Sequence, residues 1–268
     1  MKREAESFAK DGLMQKNRIP AVDKTIRLLE ALSSGVRAET VTELAALLDI
    51  SVTTCFRILR TLEAANWIFE SPEGGYQLSA GLIGLLNPVC RYQLLVDHIG
   101  PQAALLSENA ALSAKISVRQ GDEYVTIYSA IPPSPYSLNS RINARFPLLV
   151  GATGIPFLLG FSETDVRLLL KRSPARVWEF QTEERFYERL EECRRSGCIR
   201  DMGSYRPDIC AYAAPVLDPS GAVVCVVTLV GMPGDFADEE RILTLKNLLL
   251  GSIAECRRIL ASLPHFPM

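Results

Sequence analysis

The sequence has few of the residues, and none of the common sequence motifs, on which many enzyme classes depend. It has two histidines, His98 and His265, and no GxSxG, HExxH, GxGxxG or GxxxxGK[ST] string. Metal-ligand spacings are lacking too, because the seven cysteines form no CxxC pair and no histidine cluster accompanies them. We therefore expect no enzyme, no metal site and no cofactor, and we expect most cysteines to be reduced packing residues.

Long apolar runs and an excess of positive charge are also lacking. No segment approaches the roughly 18 uninterrupted apolar residues that a membrane span needs, and the first 16 residues lack the apolar core of a secretory signal. We therefore expect a cytoplasmic protein with no membrane partner. The net charge is −2. DNA binding needs a local basic surface rather than a basic protein overall, so the net charge does not decide whether this protein binds DNA.

The chain does have enough apolar residues, 48% of 268, to form two folded domains. Residues 1–18 mix charges without apolar periodicity and are predicted to be a flexible tail. A helix is predicted from Pro20 to Ser33, because four apolar residues recur at helical spacing on what should be its core-facing side. These are Val22, Ile26, Leu29 and Leu32.

A helix-turn-helix pattern follows. Thr40 and Glu43 have the spacing of a capping box before a helix over 41–48, and Ser51 can cap the next helix about three residues later. In that second helix the apolar spacing predicts a buried face of Cys55, Ile58, Leu59 and Leu62. The segments WIFES and YQLS then predict two short strands around a Gly-Gly turn, which is a wing.

The second half alternates strands and helices. Residues 79–111 are helix-prone and should be broken by Pro88 and Pro101. AKISVRQGDEYVTIYSAI predicts a hairpin, and RINARFPLLVGATGIPFLLG a strand or loop that passes into a helix. ERLEECRRSG predicts a helix closed by Gly197, ICAYAAPVLDPSGAVVCVVTLVG predicts two strands, and residues 238–262 predict a long helix.

The segment TVTELAALLDISVTTCFRILRTLEAANWIFESPEGGYQLS resembles the DNA-binding domain of IclR-family regulators, and the resemblance continues through nearly all of the chain after residue 18. It implies an α+β protein with a winged helix-turn-helix domain over 19–79 and a linker helix over 80–96. A GAF-like effector domain, with an antiparallel sheet flanked by helices, is implied over 97–263. The implied function is an effector-responsive transcription regulator that binds operator DNA as a homodimer or homotetramer.

The exposed face of the second helix is the predicted DNA-reading surface. Thr53 and Phe56 can contact base edges, and Arg57 and Arg60 can contact phosphate or guanine. Free amides near the helix start favour a phosphate, although Ser51 and Thr54 could equally only cap or pack. The family usually has a basic residue at the positions of Val52 and Glu73, so we expect weak nonspecific DNA binding and dependence on avidity. The predicted set is Ser51, Val52, Thr53, Thr54, Phe56, Arg57 and Arg60.

By the same resemblance, effector contacts come from the second domain. Small residues ahead of a helix expose amide donors that suit a carboxylate, so the effector is predicted to be a small organic acid. Ala211 and Val230 are apolar where family members that bind small keto acids have polar side chains, which favours a larger or more apolar acid, aromatic acids included. Thr228 could instead be an ordinary strand threonine, and Asp201 a solvated loop residue. The predicted set is Leu138, Ala152, Thr153, Gly154, Asp201, Ala211, Thr228 and Val230.

Two other functions remain open at this point. The second domain could serve only for oligomerisation, or the chain could be a small-molecule enzyme on a GAF-like fold whose winged helix binds proteins. Cys193 and Cys198 lie close together in sequence, which suggests a redox pair, but nothing in the sequence indicates that a basic group is positioned to lower the pKa of either thiol. The regulator could repress or activate, depending on where its operator lies.

Overall fold

The structure is a computed structural model that describes residues 19–35, 40–86, 90–133, 137–173, 175–179 and 181–263. The chain forms two compact units, Met1–Pro88 and Val89–Met268. The predicted flexible tail, residues 1–18, lies outside the described residues. No helix in the described part of the chain has the length and apolar character that a membrane crossing requires.

The first unit contains the predicted winged helix-turn-helix. Thr40 accepts a hydrogen bond from the Glu43 N–H at 3.2 Å, and Ser51 accepts one from the Thr54 N–H at 3.2 Å. Both predicted N-caps are therefore present. The wing strands pair antiparallel, with Ile68 opposite Leu78. The elements are α1 (Pro20–Ser33), α2 (Val41–Leu48), α3 (Val52–Ala64), β1 (Ile68–Glu70), β2 (Tyr76–Leu78), a 3₁₀ helix (Ala80–Leu82) and α4 (Ile83–Leu86).

The buried face of α3 is the predicted one, Cys55, Ile58, Leu59 and Leu62. The predicted core-facing side of α1 is right for Leu29 and Leu32, which pack against the core of the first unit, and wrong for its N-terminal half. Val22 and Ile26 are each 51% exposed, whereas Leu28 is fully buried. Apolar residues occur around more than one side of α1, so spacing alone did not select a face. The contacts of α1 with α2 and with the wing strand β2 select the side that carries Leu28.

The second unit is built on a six-stranded antiparallel sheet in the order β5-β4-β3-β8-β7-β6. With its flanking helices, this sheet confirms the predicted α+β class. The strands are β3 (Ser113–Gln120), β4 (Glu123–Ala130), β5 (Arg145–Pro147), β6 (Ile199–Met202), β7 (Cys210–Leu217) and β8 (Val223–Gly231). The helices are α5 (Cys90–Ala110), α6 (Glu163–Arg172), α7 (Glu183–Ser196) and α8 (Glu239–Ser262), with 3₁₀ helices at Ile155–Gly160, Ala175–Glu179 and Pro233–Phe236.

The two faces of this sheet have different coverings. Helices α5 and α8 pack on one face, where Ala114, Ile116 and Val118 of β3 join a continuous apolar core. Because strand side chains alternate, Lys115 and Ser117 belong to the opposite face. There the Ile155–Gly160 helix contacts β7, β8 and α7, and a second core includes Phe186 and Leu190 of α7.

Two local expectations need correction. Pro101 lies inside α5 and does not end it, and Leu95 and Ile99 from the same helix lie in the core of the second unit. Helix α5 therefore continues across the predicted boundary between a linker helix over 80–96 and an effector domain that starts at 97. The helix predicted after Gly154 is a 3₁₀ helix of 6 residues, which presents fewer free amides than an α-helix.

The assignment of the α1 core face can be tested by truncation. Leu28→Ala should lower the free energy of unfolding by about 2 to 5 kcal/mol, because it leaves a cavity in the core of the first unit. Ile26→Ala, a truncation on the exposed side, should change it by less than about 1 kcal/mol. Urea unfolding of both variants checks the assignment, and equal losses would contradict it.

Candidate functional site

Helix α3 presents an exposed surface next to the wing. Val52 and Phe56 are 47% and 50% exposed and lie side by side on this surface. Thr53, Arg57 and Arg60 are exposed beside them, and Thr54 is half-buried. All of the residues predicted from sequence for DNA reading therefore lie on, or at the start of, one helix.

The charged residues of α3 are not equivalent. Arg60 forms an ion pair with Glu63 at 2.8 Å, which offsets its charge. Arg57 forms no ion pair with the described residues, so its guanidinium is available to an anion. Ser51 and Thr54 have hydroxyl oxygens 2.8 Å apart, and this contact, with the cap, gives both hydroxyls a structural role. Residues 40–86 contain no other basic residue and have five acidic ones.

The second unit contains a cavity of about 340 Å³ on the sheet face opposite α5 and α8. Six of the eight residues predicted to contact an effector line it, namely Leu138, Ala152, Thr153, Asp201, Ala211 and Val230. Sequence reasoning missed the other lining residues. These are Lys115, Tyr124, Thr126, Asn139, Ser140, Arg141, Ala144, Phe146, Gly151, Tyr205, Arg206 and Ile209.

The remaining two predicted residues lie behind the lining. Thr228 is fully buried, and its hydroxyl oxygen is 3.1 Å from that of Thr153, which lines the cavity. Gly154 packs so tightly that a Cβ built there would lie 1.9 Å from the Leu148 carbonyl oxygen. Both residues therefore support the cavity wall rather than form its surface.

Lys115 is the buried cation of this cavity. It is 9% exposed, and its Nζ lies 5.5 Å from the ring centre of Tyr124 and 5.8 Å from that of Phe146. No carboxylate among the described residues forms an ion pair with it. Burial lowers the pKa of Lys115 to about 8 and raises that of Tyr124. The two stacked rings offset the charge only in part, because a cation–π contact is weaker than an ion pair with an anion.

Asp201 is buried as well, so the alternative of a solvated loop residue is wrong. One of its carboxylate oxygens accepts a hydrogen bond from the Ser204 N–H at 2.7 Å. The other, Oδ2, lies 3.8 Å from the Arg189 guanidinium and accepts no hydrogen bond. Arg189 instead donates to the carbonyl of Gly151 at 2.6 Å and to Gln181 at 3.0 Å. Asp201 therefore has a balanced charge but an unused acceptor.

A weak signal in the sequence could have pointed to Lys115. Its segment, SAKISVRQ, reads as a strand, and within it a lysine stands between Ala114 and Ile116, which both face a core. A lysine on the other face of a strand at the centre of a sheet must either reach solvent or enter a cavity. Arg189, in contrast, looks like one of several charged residues of an amphipathic helix.

The cysteines do not form a redox pair in this structure. Cys193 and Cys198 are buried in different cores, on opposite faces of the sheet. Burial raises the pKa of the Cys193 thiol to about 12, and this effect outweighs the nearby Arg189. Because thiolates rather than thiols react with oxidants, Cys193 is protected. Among the described residues no cluster of His, Cys, Asp and Glu could hold a metal ion.

Two family models match the sequence of this chain, one over the helix-turn-helix and one over the unit that contains the cavity. The model of the IclR helix-turn-helix domain matches residues 21–70, and the model of the C-terminal domain of the bacterial transcriptional regulator IclR matches residues 92–254. The chain belongs to the IclR family of bacterial transcriptional regulators. The prediction that it is a DNA-binding regulator and not an enzyme is confirmed by this membership.

Individual IclR-family proteins are similar over most of their length. The HTH-type transcriptional repressor AllR of Escherichia coli K12 is 21% identical over 253 residues, which cover 92% of this chain and 90% of AllR. An IclR regulator from Alicyclobacillus acidocaldarius has a solved structure with 26% identity and a TM-score of 0.62, covering 90% of this chain and 99% of that one. The IclR structure from Thermotoga maritima has 20% identity and a TM-score of 0.65, covering 91% and 100%.

The support role of Gly154 predicts that adding one methyl group is harmful. Gly154→Ala should lower the free energy of unfolding by about 1 to 3 kcal/mol, because the loop must move away from the Leu148 carbonyl. Gly160→Ala is the matched control, since a Cβ there meets nothing within 4 Å. Thermal unfolding of the two variants checks this, and a Gly154→Ala protein as stable as the control would contradict it.

The buried ammonium predicts a stability that depends on pH. The unfolded chain holds the Lys115 proton up to a pH of about 10.4, whereas the folded chain releases it near pH 8, so the wild type gains stability as the pH rises through this window. Lys115→Met should therefore be more stable than the wild type near pH 7, by about 3 kcal/mol at most, and the difference should shrink by about pH 9.5. Urea unfolding at both pH values measures it, and a difference that does not change with pH would contradict the prediction.

Proposed function

We propose that this protein is a repressor that binds operator DNA through α3, and that a small organic acid in the Lys115 cavity changes this binding. The observation that carries the proposal is the buried lysine, which has no anionic partner among the described residues and faces an open cavity. A buried cation without a counter-ion costs folding free energy. An acid that enters the cavity supplies the missing anion.

The DNA-reading set predicted from sequence stays as our proposal, with Arg57 as its main cation. Phe56 and Val52 supply apolar contact area, which suits the methyl group of thymine, and the Thr53 hydroxyl suits a base edge. Since Arg60 already pairs with Glu63, few phosphates can be neutralised from residues 40–86. Affinity therefore depends on shape, base contacts and the simultaneous binding of two or more copies.

Repression, assembly and location follow from the same proposal. AllR, which is similar over most of this chain, is named a transcriptional repressor. We therefore assign repression, rather than activation, to this protein. A helix-turn-helix that reads two half-sites needs at least a homodimer, and a homotetramer would meet the same need. We accordingly assign the protein to the cytoplasm, where operator DNA would be available to it. We assign DNA reading to residues 19–79 and effector binding to residues 97–263, with residues 80–96 between them, of which residues 90–96 belong to helix α5 of the second unit.

An effector changes DNA affinity only if it binds one conformation better than another. The cavity wall is linked to helix α7 of the second unit. Gly151 and Asp201 line the cavity, and both contact Arg189 of α7, so a ligand in the cavity can change the conformation of that helix. A second unit that served only for oligomerisation would not need a buried, unpaired lysine at a cavity.

The role of Arg57 predicts a specific loss of operator binding. In gel shifts against the chain's own upstream region, Arg57→Ala should weaken binding about tenfold or more, because it removes a cation from the protein–DNA interface. The slope of log affinity against log salt should fall by about 1 if Arg57 contacts a phosphate. Arg167→Ala, which changes an exposed arginine of the second unit, should bind like the wild type. Equal binding by both variants would remove Arg57 from the interface, and no shift at low salt for the wild type would overturn the proposed function.

A further inference from the structure

We infer that the second unit has another ligand site, separate from the Lys115 cavity, and that this site binds an acidic amino acid. The site is a cavity of about 270 Å³. It is formed by the start of α5, the end of β3 and the turn that joins β7 to β8. It has no lining residue in common with the Lys115 cavity. The inference therefore goes beyond the proposed function and does not depend on it.

Two arginines line this second cavity, and neither forms an ion pair with the described residues. Each is held by an aromatic ring. The guanidinium carbon of Arg91 lies 4.9 Å from the ring centre of Tyr92, and that of Arg119 lies 4.7 Å from the ring centre of Phe161. A ring contacts the face of a guanidinium and leaves the N–H groups in its plane available. Although Arg91 donates one of them to the Tyr92 hydroxyl at 3.0 Å, the remaining donors of both arginines suit carboxylates.

The turn between β7 and β8 supplies a negative charge to the same cavity. Asp218 is 8% exposed, and its Oδ1 accepts hydrogen bonds from the Ser220 hydroxyl at 2.6 Å and from the Ser220 and Ala222 amides at 2.8 and 3.0 Å. These bonds, that of the hydroxyl above all, lower the pKa of Asp218, so the carboxylate is ionised at neutral pH.

This turn can only accept hydrogen bonds from a ligand through its side chains. The other oxygen of Asp218 accepts none from the described residues and is not one of the sealed oxygens without a partner, so a ligand can reach it. The Ser220 hydroxyl has its single hydrogen on Asp218 and keeps only its acceptor capacity. The arginines, in contrast, can only donate. The ligand must therefore have acceptors for the arginines and a donor for the turn.

The charges of the lining define the class of ligand. Two guanidinium groups and one carboxylate give the lining a net charge of +1, and the structure shows no ion pair among the three. A monocarboxylate would balance the net charge but would leave Asp218 without a cation. A dicarboxylate would supply both arginines but would repel Asp218. A molecule with two carboxylates and one ammonium group balances the net charge and gives each side chain its counter-ion.

The size and the remaining surface of the cavity agree with a small ligand of this kind. Leu95, Val118 and Val223 are among the apolar side chains of its lining, and they suit the methylene groups that join the two carboxylates. Its volume of about 270 Å³ is near the lower end of the range for small-molecule sites, roughly 300 to 1,000 Å³. An acidic amino acid such as aspartate or glutamate therefore matches both the charges and the space.

The test removes one charge of the ligand at a time. Calorimetry with the full chain measures the affinity for L-glutamate, for glutarate, which lacks the ammonium group, and for 4-aminobutyrate, which lacks one carboxylate. L-aspartate and succinate form a shorter pair of the same kind. At least one of the two amino acids should bind about tenfold tighter than its counterparts, as expected for a hydrogen bond between charged groups.

Variants assign each charge of the ligand to a side chain. Arg119→Gln should weaken the binding of glutamate and glutarate alike, by about tenfold, because both lose a partner of one carboxylate. Asp218→Asn keeps an acceptor for the Ser220 hydrogen bonds but removes the charge, so it should abolish the preference for glutamate over glutarate. Arg167→Gln is the matched control, since it changes an exposed arginine that lines neither cavity, and it should bind both compounds like the wild type.

Every result supports or overturns the inference, and urea unfolding verifies that each variant is folded. No binding of either amino acid, or equal affinity for glutamate, glutarate and 4-aminobutyrate, would overturn it. Wild-type affinities in Arg119→Gln, or an unchanged preference in Asp218→Asn, would overturn it as well. Glutamate binding that is lost in Lys115→Met and kept in Arg119→Gln would assign the ligand to the Lys115 cavity instead. None of these failures affects the proposed function, because gel shifts without ligand test operator binding separately.

Discussion

The two-residue alternation of side chains along β3, β7 and β8 is the constraint on which the second unit depends. These central strands have one face sealed by α5 and α8 and another that borders the cavity. Ala114 and Ile116 must enter the sealed core, so Lys115 between them must face the cavity. A shift of one residue in the register would bury the ammonium among apolar side chains, which gives the observed pairing a large energetic advantage. The position of the charge and the stability of the sheet therefore have the same origin.

Arg189 connects the elements around that cavity. From α7 its guanidinium reaches the carbonyl of Gly151, the side chain of Gln181 and the carboxylate of Asp201 on β6. A buried guanidinium with these partners holds a helix, a loop and a strand in one arrangement, because any displacement leaves a charged or polar group unpaired. The cavity wall is thus held by directional polar contacts, while the opposite face is held by apolar packing. When a wall of this kind moves, its directional contacts must be exchanged for others, which favours a change between discrete arrangements over a gradual deformation.

Features that depend on residues close together in the sequence could be predicted from it, whereas features that depend on contacts between distant segments could not. The buried face of α3, its Ser51 cap and the wing hairpin follow from spacing within about twenty residues, and the structure confirms them. The core face of α1 depends on contacts with β2, so the pattern selected Ile26 where the fold selects Leu28. The cavity residues come from strands distant in sequence. Resemblance to a family located six of the 18 residues that line the cavity, but the contribution of Lys115 required the order of the strands.

The surroundings of Lys115 have a consequence for the lifetime of the protein in a cell. An empty cavity keeps a desolvated ammonium beside two aromatic rings, so opening of this sheet face, which lets water reach the charge, is easier than it would be with an anion bound. Proteases act on such opened states, and their rate of attack follows the population of the open form. Under the proposed function, a buried lysine without a counter-ion would therefore couple the concentration of the acid to the abundance of the regulator, because a shortage of the acid would raise the population of the open form that proteases attack.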